Sequence, residues 1–377
     1  MMKTRDKYTS NIKSNMVAIG LMSGTSMDGV DVALMNTDGI NNFDIKFFQS
    51  FSYSKEIKKI IKTFIKSKNN YIEVRDIITN FHAKCVLTFL KKYNFSINNI
   101  DIIGFHGQTI MHAPVEGWTW QIGSGEGLSN ILKIPVVSNF RYRDICLGGE
   151  GAPLASLWHK ILFSSLPNKN FPCIFLNIGG VSNITYIDNL EKITYCFDVG
   201  PGNGPIDIVM KQFFNQEIDY GGKKSLIGKI HYNIINKILD HNWLNSMPPK
   251  SLDRNELNSY IFKHLVKISA IDKLATLSRL ISCCLKKHID LLGLDVRFIY
   301  VSGGGCHNAA IMKGIKEECI NKIKIIEYKK WDPDSIEAQA FAYLAVRSYK
   351  GLPLTVNNVT GINKDVSGGV LNFPLVK

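Results

Sequence analysis

The sequence predicts an α/β protein built from two similar halves, and three observations lead there. First, a strand, a glycine-bearing turn and a second strand occur twice, at residues 17–35 and again at 171–188. Second, each pair is followed by short apolar runs that alternate with segments of helical period. Third, several apolar runs end in glycine or acid-bearing turns: IDIIGF into HGQT, ITYCFDV into GPGN, and VRFIYVS into GGG. That is the habit of layered α/β chains, whose ligands sit at strand ends. The halves share an order of elements rather than residue identity, which suggests an old duplication.

In chain order, VAIGLM (17–22) and VDVALM (30–35) read as strands around the turn SGTSMDG. Ile77, Ile78, Phe81, Cys85 and Phe89 recur at helical spacing and predict a helix over 74–93. IDIIGF is a strand, PVVSNF a short strand leading into RYRD, and GGEGAPL (148–154) reads as a crossover between domains. FPCIFLNIGG (171–180) and SNITYID (182–188) form the second hairpin. ITYCFDVGPGN is a strand ending in a turn, PIDIVMKQFF a helix, and 252–292 several helices. VRFIYVSGGG is a strand running into glycines, with a helix from about Asn308, and IKIIEY is a short strand. SIEAQAFAYLAVRSY is rich in good helix formers. The tail, 351–377, reads as loop. The expected domains are 1–150 with about 345–377, and 151–344.

The 377 residues are 45% hydrophobic and 20% charged, the balance of a globular chain. No apolar run approaches the roughly 18–20 residues of a membrane helix, so a membrane partner is not expected. The basic leader before Val17 lacks the apolar core of a signal peptide and reads as a frayed extension. The formal charge of +13 comes from scattered lysines. No basic stripe with interleaved aromatics marks a nucleic-acid partner, but a positive field helps draw in anionic ligands. Eight cysteines with no C-x-x-C pair read as free thiols of a reducing cytoplasm.

Several turns carry candidate chemistry. Ser23, Gly24, Thr25 and Ser26 combine small residues and hydroxyls, so backbone N–H groups can point at one anion. Asp28 and Asp31 can order Mg²⁺ and its waters around a polyphosphate, because hard cations take oxygen ligands. The same stretch also suits a plain polar hairpin tip. It is no Walker A loop: Gly221-Gly222-Lys223 has Glu217 where the first glycine belongs. Asn177, Gly179 and Gly180 occupy the equivalent turn of the second half, and two such hairpins can clamp one triphosphate. Asp198 ends a strand and suits a general base or a turn cap. Gly303, Gly304 and Gly305, with Asn308 beyond, let a flat ring approach backbone, or serve only the turn. Glu337 opens the Ala-rich helix, where an acid also suits the helix dipole. His106 and Arg141 or Arg143 sit at strand ends.

Taken in order, GLMSGTSMDGVDVAL, GFHGQTIMH, FRYRDICLGGEGAPL, LNIGGVSNIT, FDVGPGN, VSGGGCHN and EAQAFAYLA resemble the anhydro-N-acetylmuramic acid kinases. The blocks run from residue 20 to about 345. The resemblance implies two ribonuclease H-like domains of the actin, Hsp70 and sugar kinase type, flanking a central cleft for ATP and substrate. It implies that ATP, with Mg²⁺, phosphorylates a small amino sugar at O6 while water opens its anhydro bridge at C1. Gly24, Thr25, Ser26, Met27, Asp28, Gly29, Val30 and Asp31 match the nucleotide loop. Asp198 matches the catalytic aspartate, Glu337 a second acid near the sugar, and Arg143 an arginine near the substrate. His106, Gln108, Gly200 and Asn203 fall on sugar-side motifs, and the family leaves room for a homodimer. Asn139 and Glu150 depart from the family's usual Asp and Gln, and Ser-Gly-Glu-Gly follows QIG in place of a shorter turn. The alternatives are another kinase of the superfamily with a different acceptor, or an ATP-switched binding protein that would not need Asp198 and Glu337.

Overall fold

The computed structural model describes residues 13–24, 27–166, 171–252, 254–319, 324–326, 332–357 and 359–375. The leader expectation therefore falls largely on residues outside the described ones, as do Thr25 and Ser26. The chain forms two compact units. One comprises Met1–Ile161, Ser335–Asn357 and Gly361–Lys377; the other comprises Leu162–Asp334 with Asn358–Thr360.

The first unit is built on a seven-stranded sheet. Strands β1 (Met16–Ser23), β2 (Gly29–Thr37) and β3 (Phe43–Ser52) form an antiparallel meander. Strand β4 (Ile102–Ala113) lies parallel to β1, and β6 (Val136–Ser138) lies parallel to β4. Strand β5 (Trp118–Ile122) folds back on β4, and β12 (Val370–Asn372) closes the edge beside β6.

One face of this sheet is a conventional apolar core. Ile19, Leu21, Val30, Val32, Leu34 and Ile103 pack on Ile78, Val86 and Phe89 of the Tyr71–Lys92 helix. The other face is built for close backbone approach. A Cβ on Gly20 would lie 1.9 Å from the Ala338 carbonyl oxygen, and one on Gly104 would lie 2.1 Å from that of Phe341. The Ile336–Tyr349 helix therefore lies directly on β1 and β4, glycine against alanine.

The second unit repeats the plan. Strands β7 (Cys173–Ile178), β8 (Val181–Ile187) and β9 (Ile193–Pro201) form the antiparallel meander. Strands β10 (Phe298–Ser302) and β11 (Lys324–Ile326) follow in parallel. The spatial orders β3-β2-β1-β4-β6 and β9-β8-β7-β10-β11 are the same arrangement, the ribonuclease H-like one. The duplication suggested by the order of elements is thus present in the topology. The core of this unit runs from Ile174, Leu176 and Phe197 into Leu277, Ile281 and Leu285 of the Ala270–Leu291 helix.

The fold departs from the sequence reading in identifiable places. Strand β3 was not expected; its residues alternate between half-buried and exposed, with Phe47 and Phe51 only partly buried against the core. The tail holds β12 rather than loop alone, and the strand at IDIIGF continues through HGQT to Ala113. The GGEGAPL stretch is clamped within the first unit, with the unit boundary after Ile161. The Ala-rich helix packs in the first unit although the chain reaches it after the second.

Candidate active site

In the first unit the β1–β2 turn is held from below. The Ser23 hydroxyl lies 2.6 Å from Gln108 Oε1, 2.8 Å from the Tyr53 hydroxyl and 3.0 Å from the Gly29 carbonyl. The other end of the Gln108 amide donates to the Gly24 carbonyl at 2.8 Å. Gln108 is fully buried, so its amide braces the turn from within. Burial also pushes the Tyr53 phenol above its usual pKa, keeping it a neutral donor to Ser23. Ser23 was read as part of the anion turn rather than as its brace, and Tyr53, which follows β3, carried no signal in the sequence.

Met27 closes the turn in the left-handed region (φ 57°). The Asp28 carboxylate is exposed, 3.7 Å from Lys58. Asp31 accepts a hydrogen bond from Ser50 at 2.5 Å. Val30 is buried in the core, and Gly29 is glycine because Phe51 backbone would meet its Cβ at 2.0 Å. Among the described residues no group of three or more His, Cys, Asp or Glu gathers to hold a metal. The two aspartates fit Mg²⁺ only in the manner common for nucleotide sites, where phosphates and water supply most ligands.

A second cluster in this unit joins His106, Arg141 and Glu337. Arg141 Nε donates to His106 Nε2 at 3.1 Å, and Arg141 Nη1 donates to the Gly151 carbonyl at 2.7 Å. His106 Nδ1 lies 2.8 Å from the Gly107 carbonyl, so with Nε2 accepting, Nδ1 carries the proton. Burial and the Arg141 charge hold this imidazole well below its ordinary pKa, so it stays neutral. Its role on this geometry is to hold a guanidinium. Asp144 completes the clamp: its carboxylate accepts from the Gly151 N–H at 2.7 Å and from the Thr355 hydroxyl at 2.9 Å. Of the two arginines, Arg141 is the one whose charge reaches Glu337. Arg143 is exposed and donates to Ser367 at 3.1 Å.

Glu337 lies half-buried in the first turn of the Ile336–Tyr349 helix. Desolvation raises its pKa above the usual 4.5, and Arg141 partly opposes the rise. An acid whose folded pKa is raised binds more protons folded than unfolded, so stability falls as pH rises through that interval. Glu337→Gln is therefore expected to raise Tm relative to the parent at pH 7, with the gain shrinking toward pH 4. A Tm difference that does not change with pH would contradict this account.

In the second unit three of the sequence motifs meet around Ile178: the Asn177–Gly180 turn, the turn at Asn203 and the glycine turn at 303–305. The Asn203 N–H donates to the Gly179 carbonyl at 2.7 Å, and the Gly202 and Gly204 N–H groups donate to the Gly180 carbonyl at 3.1 and 3.2 Å. The β7–β8 turn thus abuts the start of the Asn203–Phe214 helix. The glycine turn after β10 packs on the same point. A Cβ on Gly303 would meet Asn177 Oδ1 at 2.5 Å, and one on Gly305 would meet Ile178 Cγ2 at 2.2 Å. Asn177 is buried and accepts from Ser302 at 3.2 Å. Asn308 caps the Ala309–Glu318 helix, its Oδ1 accepting from the Ala310 and Ile311 N–H groups at 3.0 and 3.2 Å.

Asp198 is half-buried on β9, opposite Asn183. Its Oδ2 accepts from the Leu252 N–H at 2.9 Å, and its own N–H donates to the Lys250 carbonyl at 3.3 Å. Two residues on, Gly200 (φ 155°) passes against Cys284, whose Sγ would lie 3.0 Å from a Cβ there.

Glycine geometry separates turn glycines from others. Gly29, Gly303 and Gly305 are demanded by close packing. Gly24, Gly179 and Gly304 are not: no protein atom comes nearer than 3.6 Å to a Cβ there, and their φ values lie outside the positive range that favours glycine. Neither packing nor backbone conformation demands glycine at these three, and each leaves its backbone open on that side.

The eight cysteines are free thiols. No helix among the described residues is long and apolar enough to cross a membrane.

Comparison with known proteins agrees with the sequence resemblance. The family model for anhydro-N-acetylmuramic acid kinase matches residues 16–374. A protein of that name from Zymomonas mobilis is 36% identical over 370 residues, spanning 95% of this chain and all of its own length. Another, from Paramagnetospirillum magneticum, is 35% identical over 359 residues with 95% of this chain covered. Among solved structures, the activator of the 2-hydroxyisocaproyl-CoA dehydratase from Clostridium difficile overlaps 89% of this chain and 96% of its own, at TM-score 0.47 and 13% identity. With a family match across nearly its whole length and full-length relatives above one third identity, the chain belongs to the anhydro-N-acetylmuramic acid kinase family.

Proposed function

We propose that this protein uses ATP to convert 1,6-anhydro-N-acetylmuramic acid to N-acetylmuramic acid 6-phosphate, a step of peptidoglycan recycling in the cytoplasm. Water attacks C1 and the C1–O6 bond breaks. O6 takes the γ-phosphoryl group, and ADP leaves. The observation that carries this reading is the hold on Asp198, a carboxylate within β9 aimed by the Leu252 N–H. Asp198 takes the proton of the attacking water. Glu337, whose desolvation favours the protonated form, acts as the second acid toward the sugar. Activating water at an anomeric carbon is glycosidase chemistry; here phosphoryl transfer to O6 replaces protonation of the leaving oxygen.

Gly24, Met27, Asp28, Gly29, Val30 and Asp31 form the first phosphate loop, joined in sequence by Thr25 and Ser26. Asn177, Gly179 and Gly180 form the second, and Gly303 to Gly305 with Asn308 shape the adenosine turn. Asp28 and Asp31 would hold Mg²⁺ through water, and that ion would neutralise phosphate charge in the transfer. His106 and Arg141 orient the sugar side of the first unit, with Gln108 bracing the turn; Arg143 is exposed to meet an anionic substituent. Gly200 and Asn203 act on the sugar side of the second unit.

The test is ADP release with the anhydro sugar against a panel of ordinary sugars, run in ¹⁸O-water. ADP release with the anhydro sugar alone, and label at C1, is the expected result. Release with an ordinary sugar moves the assignment to another kinase of the superfamily. Label in phosphate reduces it to ATP hydrolysis.

A further inference from the structure

A buried lysine stands behind Asp198. Unlike the exposed lysines scattered along the chain, Lys250 is only 6% exposed. Burying an ammonium is unfavourable unless every donor is matched, and here the matches are complete. Its Nζ lies 2.8 Å from the Trp243 carbonyl, 2.8 Å from the Ser246 carbonyl and 2.9 Å from His288 Nε2. His288 Nδ1 lies 2.8 Å from the Cys284 carbonyl, so Nδ1 donates there and Nε2 accepts from the lysine. The ammonium also sits 4.4 Å from the centre of the Trp243 ring. Burial pulls its pKa down to about 8, an effect Lys287 reinforces and Cys284 and Asp198 oppose.

These contacts fix a short segment whose backbone does something specific. The Lys250 carbonyl accepts from the Asp198 N–H, and the Leu252 N–H donates to Asp198 Oδ2. The residue between them, Ser251, is held by the Trp243 indole N–H, which donates to its carbonyl at 3.0 Å. The 250–252 backbone therefore brackets Asp198 at both its main chain and its carboxylate. An apolar side chain at position 250 would fill the space but would not tie the segment to Trp243, Ser246 and His288.

We infer that Lys250 is a positioning residue: through the 250–252 backbone it fixes the aim of the Asp198 carboxylate. The inference rests on the reading of Asp198 as the base that activates water. Misplacing a catalytic group by about 1 Å can cost about 10²-fold in rate, and a bracket on both sides of the residue is what prevents such drift.

The test is Lys250→Met, which keeps length and loses the three donors. Steady-state kinetics with both substrates, and the affinity for a non-hydrolysable ATP analogue, are compared with the parent. The expected result is a fall in kcat of about 10²-fold, with both KM values and analogue affinity unchanged. A merely structural anchor would instead lose nucleotide and sugar binding together with rate. A parental kcat, or a loss shared by kcat, KM and analogue affinity, overturns the inference. If Lys250→Met yields no folded protein, Trp243→Phe removes the indole donor to Ser251 from the same bracket. It is expected to show the same split at smaller size, and a parental kcat there overturns the inference too. Absence of ADP release by the parent protein with the anhydro sugar would mark failure of the functional reading, a separate outcome.

Discussion

Asp198→Asn is expected to reduce turnover by at least about 10²-fold, the usual contribution of a general base, while a non-hydrolysable ATP analogue binds as tightly as before. The amide keeps an acceptor oxygen for the Leu252 N–H, so the 250–252 segment stays in place. What it loses is the ability to take a proton from water. The fall belongs in kcat, because the nucleotide contacts proposed at Gly24, Gly179 and Gly304 do not involve this side chain. Single-turnover formation of the 6-phosphate, measured beside analogue affinity, separates the two. Near-normal turnover would remove Asp198 from the chemistry and the ring-opening mechanism with it.

The second large effect is on stability. Gly20→Ala is expected to destabilise the first unit by at least about 3 kcal/mol, the upper end for overpacking a core. The added methyl carbon would lie 1.9 Å from the Ala338 carbonyl oxygen and 2.5 Å from the Ala342 N. Both are helix backbone, so no side chain can swing aside. Against a total stability of roughly 5–15 kcal/mol for an ordinary domain, this loss is severe. Gly104→Ala, with Phe341 backbone at 2.1 Å, is expected to behave alike. Gly24→Ala supplies the contrast: its nearest neighbour would be Met22 Cε at 3.8 Å, so thermal unfolding is expected at the parental temperature. Equal Tm values for Gly20→Ala and Gly24→Ala would refute the packing account.

These glycines also explain what the sequence did and did not reveal. The two hairpins, the strands ending in turns and the Ala-rich helix were all legible, because each is a local pattern of apolar period and glycine. Which sheet the Ala-rich helix covers was not legible. That choice is made by Gly20 and Gly104, far from the helix in sequence, and nothing within EAQAFAYLA points to them. Edge strands escaped for other reasons: β3 alternates in FDIKF but none of its residues is fully buried and no glycine turn marks its end, and β12 is only three residues long.

The site shows the same division. Asp198 and Glu337 were named from motif position; the structure gives the first a backbone donor and the second a desolvated place in a helix turn. The hydrogen-bond partners that set those environments were harder to see. Gln108 reads as a polar side chain near a strand end, yet its amide is spent on the Ser23–Gly24 turn. Arg141 and Arg143 are interchangeable on paper. Only tertiary packing puts one beside His106 and leaves the other exposed. Lys250 is one lysine among many until its burial is known.

The interruption of the first unit by the second has a consequence for biosynthesis. As the chain leaves the ribosome, β1, β2, β3, β4 and β6 emerge early, but the helix that seals their glycine face comes only after the whole second unit. The second unit is nearly continuous in sequence and has all five of its strands available by residue 326. Domains fold as units during synthesis, so the half made second holds everything it needs to close first. Until the Ile336–Tyr349 helix arrives, the early half carries an uncovered groove at Gly20 and Gly104, and that interval is when a nascent chain of this architecture is most exposed to mispairing.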